Sequence, residues 1–144
     1  MVKVQNFNVE VDCPTTTALL PFLQKLSREA LQHLHEEEQA RICFAINEGL
    51  INAIKYSIGA DTTMRFAINK NDQYTEFIIK NYGAEISDIV FENTTTRSFD
   101  DVLWDEHGRG LLIINEIADE WSFSRDELGR NILKIRMAGE KVYV

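Results

Sequence analysis

The spacing of apolar positions changes period repeatedly along the chain, and each change marks an element. Phe7, Val9 and Val11 alternate with polar neighbours, which predicts a strand at about residues 4–12. Thr15 to Thr17 then offer hydroxyl oxygens to cap a helix. Leu19, Leu20, Leu23, Leu26, Ala30, Leu31 and Leu34 follow at helical spacing, so a first helix is expected to run to about residue 35. Pro21 falls in its first turns, where a missing N–H costs least. A second helix is expected over 37–57, with Ile42, Ala45, Ile46, Ile51, Ala53 and Ile54 on its apolar side. The acidic run Glu36-Glu37-Glu38 suits its start, and Gly59 suits its exit.

Strand-like periodicity then returns. Residues 62–69 and 74–81 read as a hairpin turning at Lys70-Asn71-Asp72, and Gly83 breaks its second strand. Residues 92–108 are polar and long for a loop, the kind of segment that usually carries function. Leu111, Leu112, Ile113, Ile114 and Ile117 predict a short apolar helix over 109–118. Two strands close the chain at 120–125 and 131–137, joined by Asp126-Glu127-Leu128-Gly129. Helices combined with antiparallel pairs predict an α/β (α+β) two-layer sandwich. No repeat or Gly/Pro-rich linker divides it, so residues 1–144 read as a single domain.

Charge and composition narrow the function. The formal net charge is −8, which disfavours direct nucleic-acid binding but not one bound nucleotide. A nucleotide needs only a local cradle of amides and a cation. Cys13 and Cys43 lack CxxC spacing and read as reduced core residues of a cytoplasmic protein. The first residues carry no apolar signal stretch, and no run is long enough to span a membrane.

Three groups of residues could carry chemistry. Glu48 and Asn52 are four apart on the second helix and share a face otherwise rich in Ile and Ala. The amide oxygen is a hard donor suited to magnesium, and the carboxylate can orient or deprotonate a nucleophile. His107-Gly108-Arg109-Gly110-Leu111 opens an apolar helix, where glycines admit phosphate oxygens to free N–H groups. Asn81-Tyr82-Gly83 ends a strand, where Gly83 permits the backbone to pass close to a flat ring.

In that order and spacing the three groups resemble the GHKL ATPases, which include histidine kinases, gyrase B and MutL. Within them the sequence looks most like the bacterial anti-sigma-factor serine/threonine kinases of stress and sporulation switches. The resemblance spans nearly the whole chain. The N-box stands as Glu48-Gly49-Leu50-Ile51-Asn52-Ala53, the Asp-x-Gly box as Asn81-Tyr82-Gly83, and the glycine-rich start as Gly108-Arg109-Gly110-Leu111. Ala118-Asp119-Glu120-Trp121 is similar to the family's ending of the following helix. The resemblance implies a Bergerat-type fold, with a mixed, mostly antiparallel sheet covered by helices on one face. It implies ATP and Mg2+ as cofactors, with Asn52 holding the metal and Glu48 acting as general base toward a substrate serine. It implies Gly108, Gly110 and Leu111 at the phosphates, Gly83 and Asn81 at the adenine, and Lys55 among the nucleotide contacts. The loop 92–107 would be the lid. The implied partner is an anti-anti-sigma antagonist protein, with a sigma factor as a second, sequestered partner and a homodimer admitted.

Two positions depart from the family pattern. The adenine contact is usually an aspartate, and here it is Asn81. An asparagine oxygen accepts a hydrogen bond without charge assistance, and its NH2 could instead face a carbonyl, leaving guanine open. The arginine usual just before the glycine pair is replaced by Glu106, with Arg97 or Arg109 as substitute cations. Two readings therefore stand: an active kinase, or a GHKL-fold module that regulates by protein contact. His33 and His35 are two apart on a predicted helix, so they point different ways and make a poor metal pair. Trp104 in the lid reads equally as a loop anchor.

Overall fold

The computed structural model describes residues 6–55, 57, 63–83 and 114–138. Strand β1 (Phe7–Pro14) leads through a short 3-10 turn (Thr17–Leu19) into helix α1 (Leu20–Ala30). Helix α2 (Glu36–Lys55) follows, then strands β2 (Thr63–Lys70), β3 (Tyr74–Tyr82), β4 (Glu120–Arg125) and β5 (Arg130–Ala138). The strands form one five-stranded sheet in the order β1-β2-β3-β5-β4. All four ladders among the described residues are antiparallel, where a mixed, mostly antiparallel sheet was expected.

Local chemistry fixes the ends. The Thr16 side chain accepts from the Ala18 N–H at 3.3 Å, and Pro21 sits in the first turn of α1. α1 was expected to reach residue 35 but ends at Ala30. The chain there tightens into successive turns, Leu31 N–H to Arg28 O at 3.1 Å and Leu34 N–H to Leu31 O at 3.0 Å. Leu31 and Leu34 keep the apolar spacing because they still pack on the core while the chain reverses. α2 carries Glu36, Glu37 and Glu38 at its positive end and Lys55 at its negative end. Asn71 closes the β2–β3 hairpin, its Oδ1 accepting from the N–H groups of Gln73 and Tyr74. Asp126 closes the β4–β5 hairpin in the same manner, with Gly129 at φ +81, a conformation that favours glycine.

Strand parity sorts the sheet into two unlike faces. Met64, Phe66, Ile68, Phe77, Ile79, Leu133, Ile135 and Met137 point to the helices and form the core with Leu23, Ala30, Ile42, Ile46 and Leu50. Fully burying a side chain such as Phe66 or Phe77 stabilises the fold by about 1.5–3 kcal/mol. The opposite face is polar and knitted by cross-strand ion pairs, Arg65 to Asp12 at 2.7 Å and Arg136 to Glu76 at 2.7 Å. Cys13 and Cys43 are buried free thiols on the core side.

Gly49 sets how close α2 lies to the sheet. A Cβ there would stand 3.1 Å from Ile79 Cδ1, 3.1 Å from Leu133 Cδ2 and 3.9 Å from Ile114 Cδ1. The missing side chain thus lets α2 sit directly over the β3–β5 pair.

Candidate functional site

The site is built on the part of α2 that runs from Glu48 to the helix end. Core residues Ile42, Ile46, Leu50 and Ala53 fix the helix's rotation. That rotation leaves Glu48 and Asn52 half-buried on the flank beside Gly49. Neither side chain is committed to a hydrogen bond or ion pair with another described residue. Lys55, three residues on, is exposed at the last turn of the same flank. Ile114 lies in a helical turn described over 114–117 and packs near Gly49. The sequence leading into that turn is the glycine pair. A carboxylate and a carboxamide one turn apart, partly shielded from water, suit a hydroxyl and a hard divalent cation. The donor set therefore fits Mg2+.

A second cluster lies where β3 ends under the last turn of α2. Asn81 is 5% exposed, at an inward-facing position of β3. Its Nδ2 donates to Ala53 O at 3.2 Å and reaches Ser57 Oγ at 3.5 Å. Ala53 adjoins Asn52 in the chain, so the two clusters meet on consecutive residues. Gly83 is buried and pairs with Ser57 in an isolated antiparallel bridge. Asn131, 2% exposed, lies directly across from Asn81 in the β3–β5 register. Arg125 Nη1 donates to Gly83 O at 3.0 Å and to Asn131 Oδ1 at 3.1 Å.

Just outside this cluster, the Arg130 backbone N–H and guanidinium hold the Asp126 carboxyl below the usual carboxylate range. The Arg130 guanidinium also stands 6.0 Å from the centre of the half-exposed Tyr82 ring.

The structure brings together Glu48, Asn52 and Lys55 on one flank, with Asn81 and Gly83 at the helix end. Arg97, Glu106, Gly108, Arg109, Gly110, Leu111, Trp104 and the expected lid lie outside the described residues. Three contributors were missed from sequence. Asn131 is the polar inward position of a strand whose other inward residues are Leu133, Ile135 and Met137, a signal that parity exposes. Arg125 and Ser57 carry no such signal, because only the folded sheet brings them to Gly83.

With this geometry, the class of protein is settled by comparison. The chain belongs to the histidine kinase-like ATPase domain family, whose profile matches residues 11–137. Among solved structures it is similar to SiaB of the SiaB–SiaC complex from Pseudomonas aeruginosa. That likeness has a TM-score of 0.64 at 17% identity, covering 90% of this chain and 89% of the other, and speaks for the fold. No curated protein sequence matches significantly. Among the described residues no helix is long and apolar enough to cross a membrane.

Proposed function

We propose that this protein is an ATP-dependent serine/threonine kinase of the anti-sigma-factor type. It phosphorylates a small antagonist protein and sequesters a sigma factor. The observation that carries the reading is the Glu48–Asn52 pair, held half-buried on α2 by the close approach at Gly49 and uncommitted among the described residues. In this reading Asn52 holds the Mg2+, which supplies charge neutralisation at the phosphates when bound. Glu48 takes the proton of the attacking serine hydroxyl, and Lys55 lies near the polyphosphate. Gly108, Arg109, Gly110 and Leu111 form the phosphate cradle, and Arg97 or Arg109 supplies the cation that Glu106 does not.

Asn81 narrows the base. Its Nδ2 is turned into the protein toward Ala53 O, so Oδ1 is the half of the amide left for a base edge. An acceptor there matches the exocyclic amino group of adenine and opposes the carbonyl of guanine. That supports ATP over GTP.

A second reading, a module that regulates by contact alone, is favoured by the absence of a carboxylate at position 81. SiaB, solved in complex with SiaC, is a neighbour in fold that binds a protein partner. Calorimetry with Mg-ATP separates the two readings. The kinase reading expects micromolar binding that Asn52→Ala weakens by about 10–100-fold, the scale for disturbing a metal site. Incubation with labelled ATP and an antagonist domain then tests transfer. No label transfer by the wild type would sink the kinase, and transfer that Glu48→Ala leaves unchanged would remove Glu48 as its base.

A further inference from the structure

We propose that Arg125 is a positioning residue for the base end of the nucleotide site, acting through Gly83 and Asn131. The inference rests on the nucleotide-binding reading above and adds a residue that none of the three motifs contains. Arg125 is the last residue of β4, at the outer edge of the sheet. One nitrogen of its guanidinium donates both to Gly83 O and to Asn131 Oδ1, at 3.0 and 3.1 Å.

Gly83 lies just past the end of β3, where ladder hydrogen bonds no longer dictate the backbone. A glycine there has more accessible conformations than any other residue, so outside ties decide its path. The described ties are the bridge to Ser57 and the bond from Arg125. The bond from Arg125 is charge-assisted and therefore the stronger kind. Asn131 stands opposite Asn81, so the same cation also braces the residue paired with the proposed base reader. A single side chain thus fixes the backbone beside the ring and the neighbour of the group that reads its edge. Neither tie reaches Glu48 or Asn52.

The test uses the full chain, calorimetry with Mg-ATP, Mg-ADP and Mg-GTP, and thermal melts of Arg125→Gln and Arg125→Lys. Arg125→Gln is expected to weaken ATP and ADP by the same factor, about tenfold, the scale for losing one charged hydrogen bond. The ATP-to-ADP ratio stays within about twofold, because the phosphate end is untouched, while the preference for ATP over GTP shrinks. Arg125→Lys, which keeps a cationic donor, recovers most of the ATP affinity. Asn131→Ala moves affinity in the same direction and serves if Arg125→Gln does not fold. Wild-type affinity in Arg125→Gln overturns the role of Arg125 and leaves the nucleotide reading standing. So does a loss that alters the ATP-to-ADP ratio in step with a lowered melting temperature. A wild-type protein that binds none of the three nucleotides overturns both.

Discussion

The two ends of the candidate site share helix α2 but are built in opposite ways. At the Asn81 end, polar groups find partners inside the protein. Asn81 bonds to Ala53 and Ser57, and Arg125 bonds to Gly83 and Asn131. On the Glu48–Asn52 flank, the Glu48 and Asn52 side chains are half-buried with no committed partner among the described residues. The first end is preorganised: its shape exists before any ligand arrives. The second has two groups without a partner among the described residues, Glu48 and Asn52, which the proposed reading pairs with the metal and the substrate hydroxyl. This division matches what the proposed kinase reading asks of each end. A base is read by fixed donors and acceptors, whereas a metal and a reacting hydroxyl need side chains still free to bind them.

The comparison breaks most visibly at Glu48. Glu48→Ala is expected to lower phosphotransfer by about 10²–10⁴-fold, the usual contribution of a general base, with Mg-ATP affinity little changed. Loss of binding with no loss of turnover per bound nucleotide would show Glu48 to be a holding group instead. Next is Gly49→Val, which drives methyl groups into Ile79 and Leu133, each already 3.1 Å from the Cβ position. Overpacking of this kind costs about 1–3 kcal/mol, read as a lowered melting temperature. Nucleotide binding should fall with it, because both ends hang on α2. An unchanged melting temperature would mean that the helix can lift without consequence.

Asn81→Asp tests whether the preorganised end is a strut as well as a reader. The substitution removes the donor to Ala53 O and sets a carboxylate oxygen against a carbonyl at a site only 5% exposed. Denaturant titration should show a loss of about 1–3 kcal/mol. A stable variant with tighter ATP binding would instead make position 81 purely a base reader.

The smallest effect is one of pH. The Asp126 carboxyl is held below its ordinary range by the Arg130 N–H and guanidinium, so its contribution to stability is present above the unfolded value. That contribution is lost as pH falls through the folded value. Carboxyl chemical shifts of Asp126 should titrate below pH about 3.9, the ordinary aspartate value, and amide exchange in the β4–β5 turn should speed up in the same window. A carboxyl titrating at or above that value would count against the Arg130 clamp.

Much of the architecture was legible because it depends on short-range repetition. Alternation in Phe7-Val9-Val11 and in the later strands, and helical spacing in α2, each arise from residues within a few positions of one another. Glu48 and Asn52 share a flank for the same reason. The end of α1 was misplaced because Leu31 and Leu34 continue the apolar spacing while the chain is already turning back, a reversal set by where α2 must start.

The sequence by itself determined the elements, the α2 pair and the resemblance to an ATPase family, since all of these are patterns along the chain. Only the tertiary structure decided what surrounds Asn81. The β3–β5 pairing sets Asn131 opposite it, the sheet edge brings Arg125 to Gly83, and the glycine at position 49 lets α2 descend until Ala53 O meets its amide. These contacts join segments far apart in the chain, and the identity of a residue does not say which distant backbone atom it will find. A position that departs from its family's pattern on paper thus becomes, in the fold, the joint between a helix and a sheet.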